Sequence, residues 1–201
     1  MLMNKTEFYL MNNPIRGFIQ DKLEARRLRK FSDLPAGKTI LEIGCGSGRG
    51  TKLITQYFKP ARVEALDLDP KMIAVAKKTN VNPNVQFQVG DAAKLNFPDS
   101  TFGAVVDFGI IHHIPNWRDC LKELHRVVKP GGQLILEDLS IETFSTPFGR
   151  LLRKLLAHPY QDMFTQAEFV NELKALGFIV ETEKQYYPGL KYFVVIARKP
   201  S

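Results

Sequence analysis

The stretch "TILEIGCGSGRGT", Thr39 to Thr51, decides the fold, because it joins a short apolar strand to a glycine-rich turn and the start of a helix. Gly44, Gly46 and Gly48 let the backbone approach a ligand where a Cβ would collide. In an open parallel sheet a ligand lies at the carboxyl ends of the strands, where successive crossovers diverge. Asp67 follows Gly48 by 19 residues, at the end of the next strand, where a carboxylate can accept hydrogen bonds from both hydroxyls of a ribose. The glycine spacing is G-x-G-x-G, since three residues beyond Gly46 stands Arg49; the dinucleotide fingerprint requires G-x-G-x-x-G. Glu42 beside the loop is unhelpful to a pyrophosphate and welcome to a ligand carrying an ammonium group.

Working outward, helix and strand patterns alternate. Asn13 and Pro14 cap a helix reaching about Lys30. "RGTKLITQYF" carries Leu53, Ile54, Tyr57 and Phe58 on one face, and "RVEALD" is a second strand. Asp69 and Pro70 cap the helix "KMIAVAKK". "VQFQV" and "FGAVVDF" read as buried strands, and a helix from about Asn116 aligns Trp117, Cys120, Leu121, Leu124 and Val128 before stopping at "KPGG". "QLILEDL" is a fifth strand. Thr146 and Pro147 open a helix with Phe148, Leu151, Leu152, Leu155 and Leu156 on one stripe, opposite Arg150, Arg153, Lys154 and His158. Thr165 with Glu168 forms a capping box for another helix, ended by Gly177. "FIVETEKQY" and "KYFVVIARK", joined by "YPGL", form a hairpin. The expected fold is one α/β domain over 1–201, a doubly wound, mostly parallel seven-stranded sheet with a C-terminal antiparallel edge hairpin. Residues 1–38 are expected to form an N-terminal helical cap and 141–164 a lid-like insertion, whose helix either covers an acceptor site or simply packs onto the domain.

With 44% hydrophobic residues the chain can bury a core, and no apolar run approaches the roughly 20 residues of a membrane span. The segment "MLMNKTEFYLMNNP" lacks the features of a signal peptide, which leads us to expect a cytoplasmic protein. Cys45 and Cys120 are too few for a disulfide framework, and the four histidines show no zinc-ligand spacing, so no metal is expected. The net charge of +7 admits a nucleic-acid or anionic-membrane partner, yet the basic residues are spread along the chain, with local concentrations only at 22–30 and 150–154.

Four segments, "LEIGCGSGRG", "ALDLDP", "VGDAAKLNFPDSTFGAVVDFGIIHHIPN" and "LKELHRVVKPGGQLILED", resemble in order and spacing the motifs of class I S-adenosylmethionine-dependent methyltransferases, in the style of the ubiquinone- and menaquinone-biosynthesis group of small-molecule enzymes. S-adenosylmethionine has a sulfonium, an ammonium and a ribose but no phosphate, as the loop requires. The resemblance implies that Glu42, Gly44, Cys45, Gly46 and Gly48 face the methionine moiety, that Asp67 holds the ribose and that Leu68 lies against the adenine. It further implies that Asp91 and Ala92 meet the adenine edge, and that Asp107, Phe108 and Gly109 bring backbone groups near the ammonium and the reactive methyl. The N-P-P-[YF] motif of enzymes acting on nucleobases and glutamine amides is absent, which disfavours those acceptors.

Methyl transfer needs an aligned acceptor and, where that acceptor carries a proton, a base. His113, ahead of His112, is the expected base, the alternative being that one of the two packs or caps the helix from Asn116; Tyr160 and His158 stand behind them, and Tyr9 and Arg16 either close over the cofactor, Arg16 pairing with its carboxylate, or lie on the surface. Phe144, Phe148, Tyr160, Met163 and Phe164 suit a greasy or ring-containing acceptor, and the basic face of 146–158 suits anionic lipid. Competing readings are an RNA or protein methyltransferase, supported only by charge, an NAD-dependent oxidoreductase, opposed by the glycine spacing, and a non-catalytic binder of S-adenosylmethionine.

Overall fold

A computed structural model describes residues 24–156, 158–186 and 192–201. The expected helix start at Asn13, the cofactor-closing candidates Tyr9 and Arg16, and the turn "YPGL" lie outside the described residues. The strands are β1 (Thr39–Ile43), β2 (Arg62–Asp67), β3 (Val85–Val89), β4 (Phe102–Phe108), β5 (Val128–Leu139), β6 (Ile179–Tyr186) and β7 (Tyr192–Arg198). The helices are α1 (Arg26–Phe31), α2 (Arg49–Phe58), α3 (Pro70–Thr79), α4 (Trp117–Val127), α5 (Pro147–Leu152) and α6 (Gln166–Ala175). The sheet runs β3-β2-β1-β4-β5-β7-β6, with β3 through β5 parallel and β7 antiparallel to both of its neighbours.

Strand alternation sorts the core into two layers. Ile40, Val63, Ala104, Val106, Ile135 and Ile196 point to one face, under α1, α2 and α3. Leu41, Leu66, Val105, Leu134, Leu136 and Val195 point to the other, against Trp117, Leu121 and Leu124 of α4 and Phe169 and Leu173 of α6. Both faces are covered, which is why the central strands are apolar nearly throughout instead of alternating with polar residues.

Two boundaries differ from the sequence reading. Val128, expected on the stripe of α4, is the first residue of β5, paired with Phe102, while its N–H still bonds to Leu124 O and caps the helix. Helix therefore passes into strand with no loop, and the "KPGG" segment lies within β5 at an irregularity in the β4–β5 ladder. The register resumes at Gln133, a buried amide. Its oxygen accepts from Ser32 Oγ (3.0 Å), and its nitrogen donates to Asp33 (2.7 Å) and Glu181 (3.0 Å), tying the segment after α1 to the sheet.

The second difference concerns α5, which ends at Leu152, so that Leu155, Leu156 and His158 lie beyond it. Arg153 to Leu156 continue in irregular turns, including short Leu151–Lys154 and Leu152–Leu155 hydrogen bonds. The expected continuous stripe is therefore broken, and Phe148, Leu151 and Leu155 stand 52%, 56% and 56% exposed. At the base of the insertion, Ile141 N–H bonds to Phe164 O (3.0 Å), bringing its two ends together. Phe144 and Phe164, expected among acceptor-facing aromatics, are buried instead; Phe164 packs edge-on to Trp117 at 5.1 Å.

Candidate active site

The crossovers from β1 and β4 leave in opposite directions, so the loop after β1 and the turn after β4 flank a cleft at the carboxyl ends of the strands. The cleft has a volume of about 280 Å³. Its first wall is the loop 44–48. Gly44 has φ +65°, and a Cβ there would run into the side chain of Ile110 from the turn after β4. Gly48 has φ +81° and lies 3.1 Å, measured from an added Cβ, from both Ala76 and Phe87. Its role is close packing of the loop on α3, and it does not line the cleft.

Asp67 braces this loop, accepting from Gly46 N–H (2.8 Å) and Asp69 N–H (2.9 Å). Burial raises its affinity for a proton. Glu42 is buried beside Thr51, whose hydroxyl donates to it. Burial chiefly, with repulsion from Asp107 and Asp67, pushes its carboxyl up to about 8. An added Cβ at Gly50 would strike Glu42 and approach the ring of Phe108 to 2.9 Å, so the second glycine of "GRG" makes the room that Glu42 occupies. Sequence reasoning passed over Gly50, although it lies in the opening motif.

The expected cofactor residues Glu42, Gly44, Cys45, Gly46, Asp67, Leu68, Asp91, Ala92, Phe108 and Gly109 line the cleft together, and Gly48 and Asp107 do not. Asp107 is buried in the turn after β4, where it accepts from Ile110 N–H (2.8 Å). Cys45 is buried and its thiol is pushed up, chiefly by burial, which removes it as a nucleophile. Met72, Ile110, Pro115 and Asn116 also line the cleft, and sequence reasoning missed them. The helix cap at Asn116 was legible, but which of its neighbours faces the ligand depends on the tertiary turn.

The two histidines separate in role. His113 lines the cleft, while His112 is 4% exposed and points to the end of β5. There its Nδ1 meets Asp138, which also accepts from His112 N–H (3.2 Å) and Leu139 N–H (2.7 Å). Burial raises both carboxyls of the adjoining Asp107 and Asp138, with repulsion from Asp138 adding to the effect at Asp107. Because the donors converge on Asp138, the proton of that pair belongs on Asp107. His113 has its pKa pushed down by burial and by the neighbouring His112 and His158, so its ring is neutral. A neutral ring is free to accept a proton but holds it weakly. His158 closes the group from the insertion, 4.3 Å from His113 between ring centroids, and stacks at 5.5 Å on Tyr160.

A family model described as "Methyltransferase domain" matches residues 41–136. The demethylmenaquinone methyltransferase of Bacillus licheniformis is 30% identical over 187 residues, covering 91% of this chain and 78% of that one. The chain belongs to the class I S-adenosylmethionine-dependent methyltransferases. A phthiotriol/phenolphthiotriol dimycocerosates methyltransferase of Mycobacterium leprae is 38% identical over 104 residues, which is 52% of this methyltransferase chain and 38% of that relative's length. The fold matches that of a SAM-dependent methyltransferase from Aquifex aeolicus with a TM-score of 0.73 at 22% identity, covering 96% and 97% of the two chains. S-adenosylmethionine is the cofactor of such a methyltransferase, and the cleft's chemistry fits it. Among the described residues the wall carries Glu42, Asp67, Asp69 and Asp91 against one lysine or arginine, Arg49, which suits a cationic, phosphate-free ligand.

Proposed function

We propose that this protein moves the methyl group of S-adenosylmethionine to an apolar or ring-containing small molecule, such as a quinone or lipid. The observation that carries this reading is an acid-lined cleft ending at His113, next to an insertion whose apolar residues Phe148, Leu151 and Leu155 stand in the open. The bound cofactor supplies an electrophilic methyl on a sulfonium. Asp67 takes the ribose, Glu42 the ammonium side, and Asp91 with Ala92 the adenine edge. Leu68 and Met72 give the adenine an apolar bed. Phe108 and Gly109 shape the passage through which the acceptor reaches the methyl, with His113 as the proton acceptor for a hydroxyl-bearing substrate.

The apolar acceptor draws support from relatives whose names include phthiotriol dimycocerosates, demethylmenaquinone and fatty acid. Arg150, Arg153 and Lys154 beside the exposed leucines suit a lipid surface that holds such a substrate. Among the described residues no helix is long and apolar enough to cross a membrane, so contact with lipid through this segment would be peripheral. The test incubates the protein with methyl-labelled cofactor and separated lipid, RNA and protein fractions of a cell extract. Label gained in the solvent-extractable fraction is the expected result; label confined to RNA or protein, or no transfer, overturns the reading.

A further inference from the structure

His112 and His113 follow β4, and His158 arrives from the far side of the insertion, yet one ring nitrogen from each lies within 4.8 Å of the others. Their ring centroids are separated by 4.1, 4.3 and 5.0 Å. Ligand spacing along the chain could not reveal the group, because two members are adjacent and the third is contributed by a different element.

We propose that His112, His113 and His158 hold one divalent transition-metal ion at the mouth of the cofactor cleft. Three observations carry this. First, three imidazole nitrogens converge, a donor set suited to zinc and its neighbours. Second, Asp138 engages Nδ1 of His112, which leaves Nε2 as the ligating nitrogen; a carboxylate behind a metal-bound histidine fixes tautomer and orientation in this way. Third, His113 lines the cleft, so an ion bound by three protein nitrogens keeps its remaining position toward that space, as catalytic sites do. Asp138, buried behind the cluster, is the carboxylate on this side of the site.

Metal–nitrogen bonds of about 2.0–2.1 Å in tetrahedral geometry set ligand nitrogens roughly 3.3 Å apart. The rings must therefore draw together, and His158 is the member whose segment is free of the sheet. Metal binding would fasten the insertion to the wall of the cleft. A neutral imidazole has a single basic nitrogen, so with the ion bound His113 is a ligand and not the proton acceptor named above; the proposal concerns the ion itself and does not depend on which acceptor is methylated.

The test uses full-length protein stripped with a chelator and titrated with cobalt(II) chloride and zinc chloride, followed by calorimetry and by the visible absorption of cobalt. One ion per chain is expected. His158→Ala and His113→Ala should each weaken binding at least about 100-fold, and Asp138→Asn about 10- to 100-fold. His158 carries the decisive variant because His112 and Asp138 are buried, and loss of either can unfold the chain; circular dichroism and affinity for S-adenosylhomocysteine verify that His158→Ala remains folded. Absence of saturable binding, or binding that His158→Ala leaves unchanged, overturns the proposal.

Discussion

Both oxygens of Asp67 are already engaged by backbone N–H groups, so this carboxylate shapes the loop as well as meeting a ligand. Asp67→Ala leaves two donors without an acceptor, at about 1–3 kcal/mol for each that stays buried. Affinity for S-adenosylhomocysteine should fall roughly 10- to 100-fold by calorimetry; unchanged affinity in a folded variant removes Asp67 from the site. Glu42 gives a sharper signature. With its carboxyl held near 8, it is mostly protonated in the free protein at pH 7, and an arriving cation favours the ionised form. Cofactor binding should therefore release a proton, seen as a binding enthalpy that varies with the ionisation heat of the buffer. The same raised value makes the folded state bind more protons than the unfolded one, whose Glu titrates at 4.5. The contribution of Glu42 to stability is thus complete below that value and lost as pH rises toward 8. Melting temperature of the ligand-free protein should decline across this window, and Glu42→Gln should flatten the decline.

Local sequence signals were most legible where a helix carries its own punctuation. The Thr165–Glu168 capping box is present as expected, with Glu168 N–H donating to Thr165 Oγ at 3.1 Å. Thr165→Ala should cost about 1 kcal/mol in urea denaturation. By contrast, the stripe from Phe148 to Leu156 promised a longer helix than α5, because periodicity cannot register the turns that carry His158 inward. Val128 misled for a related reason: it continues the four-residue spacing of α4 while belonging to β5. Gly149 fixes how α5 sits, since a Cβ there would strike the carbonyl of Thr143 and approach Phe144 Cα to 2.8 Å. Gly149→Ala should lift α5 from its base, giving faster hydrogen exchange in 147–156 while exchange in the strands stays unchanged. Equal exchange in both proteins would show that α5 is seated by other contacts.

The mostly parallel sheet ending in an antiparallel hairpin was legible because the apolar runs, the glycine loop and the hairpin turn each mark a strand, whereas the seating of β7 between β5 and β6 was not. The cofactor cleft was legible for the same reason, its motifs lying at successive strand ends. Asp138 and the histidine cluster were not, since they join β4, β5 and the insertion through space. The net charge of +7 makes one further expectation quantitative. Binding to anionic phospholipid vesicles should exceed binding to neutral ones, weaken with salt, and drop when Leu151→Asp places a charge on the exposed apolar face. Equal sedimentation with both kinds of vesicle argues against a lipid-facing role for this segment.

Because β7 lies between β5 and β6, the last of the described strands in chain order fills an interior place in the sheet. During synthesis, β5 therefore presents a bare row of N–H and C=O groups until Tyr192–Arg198 emerges, whereas the loop 44–48, Asp67 and His113 have long since left the ribosome. The nascent chain possesses every described wall of the cofactor cleft before it can close its sheet. For that interval the open side of β5, with Ile135 and Leu136 along it, is the place where another chain can pair in error.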